Sequence, residues 1–238
     1  MKKACLRIDV ITLFPKLLEE PLTESMARQA VKRGVVDIRI HNLRDFARDK
    51  RRTCDDKPFG GGAGMVMMVQ PIYDCLRTIG RGGWRGLVSP RGKTFGQDVA
   101  KRLAQKKHLI FICGHYEGID ERVHERLVDE EISIGDFVTT GGEFPALCFI
   151  DAVIRLVPGV LGNQDSLESE SFSKGLLDFP QYTRPRDFRG WKVPDILLSG
   201  DHSAVDSWRI QEAWRTTKKC RPDLISKVRR KKSLSECC

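Results

Sequence analysis

The chain has 238 residues, of which 40% are hydrophobic and 31% charged, so it is long enough for one large domain or two smaller ones. No run of about 18 apolar residues occurs, and Arg7 and Asp9 interrupt the first apolar stretch, so neither a transmembrane helix nor a signal peptide is expected. The net charge of +9 predicts either a polyanionic partner such as nucleic acid or a solvated basic surface.

Strand and helix patterns alternate along the first 157 residues. LRIDVITLF (6–14) predicts a strand, and the helical pattern after it ends at Gly34. An amphipathic helix is predicted over 95–107 and a mostly apolar helix over 143–157. The further predicted strands are 35–43, 85–90, 108–114 and 132–138. This alternation predicts an α/β domain with a largely parallel sheet.

The composition changes after the last of these helices. Residues 161–175 are rich in glycine, serine and acidic residues, which predicts a flexible linker. Residues 171–238 hold 15 lysines and arginines against eight acidic residues, a net charge of +7, and three of the four tryptophans. We therefore expect an α/β domain at 1–160, the linker, and a small, basic, mainly helical domain at 176–238.

The eight cysteines are scattered, and none forms a Cys-X-X-Cys pair. Cys113 and Cys148 lie inside apolar runs, where cysteine behaves as a small buried hydrophobe. The pattern predicts a reduced, cytoplasmic protein without structural zinc.

Three predicted strands end in loops with polar or glycine-rich sequences, RGKTF (91–95), HYEGIDER (115–122) and TTGGE (139–143). In open α/β sheets, ligands bind beyond the carboxyl ends of strands, and glycines let them approach the main chain. The three loops therefore predict one shared ligand site. Three tight turns with a structural role are the alternative.

A fourth glycine cluster, DDKPFGGGAGMVM (55–67), matches neither the Walker loop nor the dinucleotide-binding fingerprint. No strand is predicted before it. Asp55 and Asp56 are candidates for a magnesium site, and a solvated pair of carboxylates is the alternative. Spacing alone predicts only a ligand-binding α/β domain joined to a basic helical domain.

Taken together, several long motifs resemble the bacterial TrmD family, the tRNA (guanine-N1)-methyltransferases of the SPOUT class. The resemblance runs from about residue 5 to about residue 225 and includes the motifs DDKPFGGGAGMVM, LVSPRGKTF, FICGHYEGIDERV, SIGDFVTTGGE and GLLDFPQYTRP. It implies methyl transfer from S-adenosylmethionine to N1 of the guanine at tRNA position 37, next to the anticodon, which preserves the reading frame. It also implies a deep trefoil knot in the first domain and a homodimer with active sites at the subunit interface.

The resemblance further implies that S-adenosylmethionine binds in a bent shape to the knot loops. The corresponding residues are Leu87, Val88, Ser89, Pro90, Gly114, Tyr116, Glu117, Ile134, Gly135, Asp136, Phe137, Val138, Thr139, Gly141 and Gly142. We interpret Gly141 and Gly142 as leaving room for the adenine. The alternative is that a tight chain crossing needs glycines with positive φ there.

For the reaction, N1 of guanine must lose a proton while negative charge develops on O6, so a base and a cation or donor are needed. The resemblance implies that Glu170 is the general base and that Arg155 lies near O6, with Asp178 as a second candidate base. The family's usual residue at the base position is aspartate, in Asp-Ser-Phe. Here Glu170 adds one methylene, which changes its reach.

Contacts to the tRNA anticodon stem-loop, through phosphates and stacking, are implied for Gly60, Tyr182, Arg184, Trp208 and Arg209. Magnesium is implied as well, with no ligand identified. Two alternatives stay open. One is a SPOUT enzyme acting on another RNA site, against which GLLDFPQYTRP argues. The other is a non-catalytic RNA-binding module, against which Arg155, Glu170 and the glycine-rich loops argue.

Overall fold

Five parallel strands form the central sheet of the first of two structural units. The structure is a computed structural model that describes residues 5–161 and 170–226. The units divide after Gly162, and each is described by itself. The elements of the first unit are β1 (Leu6–Thr12), α1 (Lys16–Leu22), α2 (Ser25–Lys32), β2 (Val36–Asn42), β3 (Asp55–Asp56), β4 (Val66–Met67), α3 (Val69–Ile79), β5 (Trp84–Thr94), α4 (Gln97–Ala104), β6 (His108–Cys113), α5 (Glu121–Arg126), β7 (Glu130–Ser133) and α6 (Glu143–Ile154).

The sheet has the order β2-β1-β6-β5-β7 and is covered on both faces. Successive residues of β6 alternate between two cores, as the period of two along a strand requires. Leu109 and Phe111 join the core that α6 completes, whereas Ile110 and Ile112 join the core that α3 completes. Burial on both faces explains why β6 reads as a continuous apolar run. The predicted α/β class and parallel sheet are confirmed.

Three predicted elements of the first unit have clearly different bounds in the structure. β5 continues to Thr94, through residues 91–94 that were predicted as a loop, because Lys93 and Thr94 pair with β7. The strand predicted to reach residue 138 ends at Ser133, because the Ser133 hydroxyl donates to the Gly135 carbonyl at 3.0 Å and accepts from the Gly135 N–H at 3.1 Å. The predicted helical stretch after β1 is two helices. It breaks after Leu22, where the Thr23 hydroxyl donates back to the Glu20 carbonyl at 2.8 Å.

The glycine cluster at 55–67 is flanked by strands that the sequence did not predict. β3 and β4 pair antiparallel, with Asp55 opposite Met67. Helix α3, which was also not predicted, follows directly. Of the two cysteines predicted to be buried, Cys113 is buried, but Cys148 is exposed because it lies on the outer side of α6.

The second unit, as far as residues 170–226 describe it, is built around α7 (His202–Cys220). Before α7 lie a short antiparallel hairpin, β8 (Asp187–Phe188) and β9 (Trp191–Lys192), and a 3-10 helix, Asp195–Leu198. Asp201 caps α7 by accepting the Ala204 N–H at 3.0 Å. In the described parts of both units, no helix has the length and apolar character that crossing a membrane requires.

A buried carboxylate, Asp9, lies in the middle of β1, between β2 and β6. Nε2 of His41 lies 2.6 Å from its Oδ1, Nε2 of His108 lies 2.6 Å from its Oδ2, and Arg7 donates to Oδ1 at 3.0 Å. Burial raises the pKa of Asp9, but the hydrogen bonds from His41, Arg7 and His108 together outweigh that effect and hold the pKa well below its usual value. Asp9 therefore pairs with Arg7 on its own strand and connects β1 to β2 through His41 and to β6 through His108.

Replacing Asp9 with Asn is expected to lower the free energy of unfolding at pH 7 by about 3 kcal/mol, because Arg7 loses its buried counter-charge. A depressed folded-state pKa stabilises the protein above the unfolded value of 3.8, and this contribution is lost as the pH falls through the folded value. The wild type should therefore lose more stability below about pH 4 than Asp9→Asn does. Urea unfolding over a pH series measures both effects.

The matched control is Asp37→Asn. Asp37 forms a pair with Arg39 on the neighbouring strand, but both side chains are substantially exposed. This change should cost less than about 1 kcal/mol. Equal costs for the two variants would contradict the role given to Asp9.

Candidate active site

Loops and strand ends from three neighbouring strands enclose a cleft of about 540 Å³. One wall is the middle of β5, a second is the loop after β6, and the third is the long loop between β7 and α6. The three strands are adjacent, in the order β6-β5-β7. The cleft therefore lies where a ligand site in an open α/β sheet is expected.

Most of the residues predicted to bind the cofactor line this cleft. They are Leu87, Val88, Ser89, Pro90, Gly114, Tyr116, Glu117, Ile134, Phe137, Val138, Thr139, Gly141 and Gly142. Gly135 and Asp136 do not line it. Gly135 makes the turn after β7 with a φ of +154°, and Asp136 is exposed.

The cleft has further lining residues that were not singled out from the sequence. Arg91, His115, Gly118, Ile119, Glu121 and Thr140 lie within the three loops predicted to share a ligand site, whereas His124, Ser133 and Pro145 lie outside them. Most of them adjoin residues that were predicted. Arg91 and Glu121 form a two-pronged ion pair at 2.7 and 3.0 Å that joins β5 to the start of α5. Hydrogen bonding from Arg91 holds the pKa of Glu121 below its usual value. Their spacing of 30 residues gave no local signal.

Two of the loops meet at Gly142. Its N–H donates to the Gly114 carbonyl at 2.8 Å, and Gly141 forms an isolated bridge with His115. A Cβ at position 142 would lie 2.9 Å from Cys113 Cα and 2.9 Å from Gly114 N, which are backbone atoms that cannot move aside. The φ of Gly142 is −80°, so the alternative of a positive φ is wrong.

The packing around the two glycines gives a reason for their bare backbone besides the predicted room for adenine. Gly142 is bare because another stretch of backbone crosses it at contact distance. At Gly141, whose φ also lies outside the positive region, a Cβ would lie 2.6 Å from His115 Nδ1 and closer still to Glu143 Oε2. Both positions leave room for other parts of this chain, and both also line the cleft.

Glu143 and His115 lie beside the point where Gly142 crosses the Cys113–Gly114 backbone, and His115 lines the cleft. Glu143 is 1% exposed, and its Oε1 accepts the Thr12 hydroxyl at 2.7 Å, which joins α6 to the end of β1. His115 packs against the Phe14 ring at 4.6 Å, and its Nδ1 is buried with no hydrogen-bond partner in the described part of the chain. His115 therefore lines the cleft while its Nδ1 stays buried behind the cleft wall.

The 55–67 segment borders the same cleft through Glu117. The Glu117 N–H donates to the Met65 carbonyl at 3.1 Å, and the Met67 N–H donates to the Gly118 carbonyl at 2.9 Å. The Gly64 Cα packs against the Glu117 side chain, where a Cβ would clash. Gly60, predicted to contact tRNA, is exposed with a φ of +86° and lies outside the cleft lining.

Arg155 lies at the other end of α6 from the cleft. It caps the C-terminus of that helix, ten residues after Pro145, which lines the cleft. At 1.5 Å per residue, the two positions are about 15 Å apart along the helix axis. This distance exceeds the reach of an arginine side chain, so the structure does not bring Arg155 to the cleft of its own chain.

Glu170 and Asp178 are joined by a hydrogen-bonded turn in the second unit. The Glu170 carbonyl accepts the Ser173 N–H at 3.1 Å, and the Asp178 N–H donates to the Ser171 hydroxyl at 2.9 Å. Asp178 Oδ1 accepts the Phe179 N–H at 2.7 Å. The residues of the predicted linker that the structure describes at this end are thus part of a defined turn.

The segment that follows this turn runs antiparallel along α7. The Leu177 N–H donates to the buried Thr217 hydroxyl at 2.9 Å near the end of the helix. Further along, the Arg209 guanidinium lies 5.1 Å from the Phe179 ring centre, and the Tyr182 and Trp208 rings lie 6.5 Å apart. The structure therefore brings together three of the predicted tRNA contacts, and the fourth in this unit, Arg184, is exposed.

Comparison with known proteins adds a family to this geometry. The family model described as tRNA (Guanine-1)-methyltransferase TrmD matches residues 6–227. A tRNA (guanine-N(1)-)-methyltransferase of Geobacter sulfurreducens is 52% identical over 98% of this chain and 96% of its own. Proteins of the same description from Dictyoglomus turgidum and Lactiplantibacillus plantarum are 53% and 51% identical, over 94% and 93% of this chain and 91% of each of theirs. The cleft, the motifs that build it and these matches over nearly the whole length show that the chain belongs to the tRNA (guanine-1)-methyltransferase TrmD family.

Proposed function

We propose that the protein transfers a methyl group from S-adenosylmethionine to N1 of the guanine at tRNA position 37, next to the anticodon, and so preserves the reading frame. The observation that carries the proposal is the cleft formed by β5 and the loops after β6 and β7, in a chain that belongs to this family. Three of the motifs that carry the resemblance, LVSPRGKTF, FICGHYEGIDERV and SIGDFVTTGGE, supply its walls.

The cleft residues fit S-adenosylmethionine. The volume of about 540 Å³ lies in the usual range for small-molecule sites, about 300–1,000 Å³. Leu87, Val88 and Ile134 supply apolar walls, and the glycines expose main-chain groups for the adenine edge. When bound, the cofactor supplies a methyl group on a sulfonium, which is a good leaving group, so no covalent enzyme intermediate is needed.

Side chains of the protein would then accept the N1 proton of guanine and stabilise the negative charge that develops on O6. We assign the Glu170 carboxylate to accept the N1 proton of guanine as methyl arrives, with Asp178 in the same turn as the second candidate. The Arg155 guanidinium donates to O6 as negative charge develops there. The implied magnesium ion has no group of three candidate ligands in residues 5–161 and 170–226, and no step of this mechanism uses it.

We also propose that the first unit is a trefoil knot, as in the SPOUT class. Support comes from how closely the chain approaches itself in the β7–α6 region. Gly142 lies against the Cys113–Gly114 backbone, and a Cβ at Gly92 would overlap the backbone of Ile132. β5 also pairs twice with β7, since both Val88 and Lys93 lie opposite Ile132. These contacts are suited to one segment threading past another.

We propose that the protein is a homodimer whose active sites combine residues of both subunits. One support is that Arg155 lies too far from the cleft of its own chain to contact a ligand there. In a dimer, Arg155 of the second copy could lie at that cleft. Another is the outer stripe of α6, defined by Phe144, Cys148 and Asp151, because Phe144 is 58% exposed on a mostly apolar helix. Exposed apolar surface of this kind marks a protein interface.

Phe144→Glu is expected to give a monomer with little methyl transfer, because it places a charge in the proposed interface. Analytical ultracentrifugation measures the mass. Tyr73→Glu is the control, since Tyr73 is 45% exposed on α3, which packs on the opposite face of the sheet. A dimeric, active Phe144→Glu protein would remove α6 from the interface.

We also propose a role for each part of the chain and a location for the protein. Residues 1–160 bind the cofactor, 161–175 connect the domains and 176–238 bind the anticodon stem-loop, with Gly60 as a contact from the first domain. Residues 162–169 of the connection lie outside the described part of the chain. The protein would act in the cytoplasm, where tRNA is modified.

The deciding experiment is mass spectrometry of nuclease-digested tRNA after incubation with the protein and S-adenosylmethionine. The expected product is N1-methylguanine at position 37, absent when the tRNA transcript carries adenine there. Methylation elsewhere would support a SPOUT enzyme with another target. Tight tRNA binding without methylation would support a non-catalytic RNA-binding module.

A further inference from the structure

A short hairpin in the second unit presents aromatic rings to solvent. In this 187–192 hairpin, Phe188 pairs with Trp191 and Asp187 with Lys192. Arg189 and Gly190 form the turn, with φ values of +55° and +86°, which is the twist that a two-residue hairpin favours. The Gly190 N–H donates to Asp187 Oδ1 at 2.8 Å, so the tip is held in a defined shape.

The aromatic rings of the hairpin are exposed rather than packed in a core. Trp191 is 75% exposed and Phe188 is 48% exposed, and their ring centres lie 5.8 Å apart. The Arg189 guanidinium lies 5.4 Å from the centre of the Phe188 ring. Together the three side chains form a surface of two rings and one planar cation, and such exposed apolar surface marks an interaction site.

The charge of this surface favours RNA as the partner over a protein. Arg186, Arg189 and Lys192 are exposed, and the one acidic residue among them, Asp187, accepts the turn hydrogen bond. The whole segment 171–238 carries a net charge of +7. Unpaired RNA bases are recognised by stacking on aromatic rings and guanidinium planes, while lysines and arginines hold the adjoining phosphates.

We infer that the 187–192 hairpin binds an unpaired nucleotide of the RNA substrate, with the base stacked on Trp191 and Phe188 and the flanking phosphates held by Arg186 and Lys192. The inference rests on the proposed function for the identity of that RNA as tRNA. It adds a second aromatic contact surface to the one that Tyr182 and Trp208 form on α7.

The test measures the affinity of fluorescein-labelled tRNA transcript for the full-length protein by anisotropy. Stacking of one base contributes about 1–3 kcal/mol, so Trp191→Ala should weaken binding about 5- to 150-fold. Trp191→Phe should recover most of the loss because it keeps a ring. Thermal unfolding of each variant shows that an exposed side chain was changed without loss of the fold.

Salt titration separates stacking from charge. Trp191→Ala should keep the wild-type dependence of affinity on salt, whereas Lys192→Gln should reduce the slope by about one phosphate contact. The Trp191→Ala loss should be absent with a fully paired RNA duplex, which offers no unstacked base. Tyr73→Ala, an exposed aromatic of the first unit, is the control and should bind RNA as the wild type does.

Three results would overturn the inference. They are wild-type tRNA affinity for Trp191→Ala, an equal loss with the duplex, or a change in self-association alone, which would make the hairpin a protein contact. Failure of the proposed function looks different. In that case the wild type would bind unpaired RNA through the hairpin and yet leave guanine 37 unmethylated.

Discussion

Glu170→Gln is expected to slow single-turnover methyl transfer to tRNA by about 10²–10⁴-fold while cofactor affinity stays nearly unchanged. The substitution keeps the size and hydrogen bonding of the side chain but removes its basicity. Because N1 of guanine must lose its proton during methyl transfer, loss of the base should appear in the chemical step and not in binding. Rapid-quench measurement with enzyme in excess over labelled tRNA reports that step directly.

Two companion variants make the assignment specific. Glu170→Asp should retain far more activity than Glu170→Gln, since it keeps a carboxylate and loses only one methylene of reach. Asp178→Asn tests the other candidate, whose Oδ1 and Oδ2 accept hydrogen bonds from Phe179 and Gln181 inside the turn. Those bonds fit a positioning role for Asp178. A nearly active Glu170→Gln beside an inactive Asp178→Asn would transfer the role of base to Asp178.

The second large effect is expected at the chain crossing. Gly142→Ala should weaken binding of S-adenosylhomocysteine about 100-fold, because the added Cβ meets the backbone of Cys113 and Gly114 at 2.9 Å and forces the two cleft walls apart. The same overpacking should lower the free energy of unfolding by about 1–3 kcal/mol. Calorimetry and urea unfolding measure the two effects.

Gly96→Ala is the matched control for this substitution. Gly96 has a φ of −147°, and a Cβ there would face open space at the start of α4. It should bind the cofactor product like the wild type and unfold within about 1 kcal/mol of it. If Gly142→Ala also bound normally, the crossing would be more yielding than its geometry indicates, and the cleft would not depend on it.

The sequence predicted the parts of the fold whose signal is local. β6 was recognisable because it is buried on both faces of the sheet, and the helix α6 because most of its residues are apolar. The missed features depend on contacts between distant residues. The end of β7 is set by the Ser133 hydroxyl, and the place of the 55–67 segment at the cleft rim depends on hydrogen bonds to Glu117 and Gly118. The hydrophobic periodicity of the sequence gives no signal for either contact.

At the candidate site, too, features with a local sequence signal were predicted and features that depend on distant residues were not. Residues inside the quoted motifs were predicted, and most of them line the cleft. His115 lies within a loop that was predicted to form the site, but the burial of its Nδ1 could not be predicted, because it is a property of the surrounding residues. The hairpin at 187–192 was missed as well, although its Arg-Gly tip has a turn-forming glycine. Arg155 was predicted, but its distance from the cleft became apparent only from the length of α6.

The chain crossing also places a natural chemical reporter in the molecule. The backbone and Cβ of Cys113 lie against Gly142. Burial, aided by the nearby Glu143 carboxylate, raises the pKa of the Cys113 thiol well above the usual value, so the thiol should resist alkylation while the crossing is closed. Cys75, in the core on the other face of the sheet, is protected independently, with its pKa raised by burial to about 12. The rate at which iodoacetamide labels Cys113 relative to Cys75, followed by peptide mass spectrometry, would therefore time the opening of the crossing separately from global unfolding.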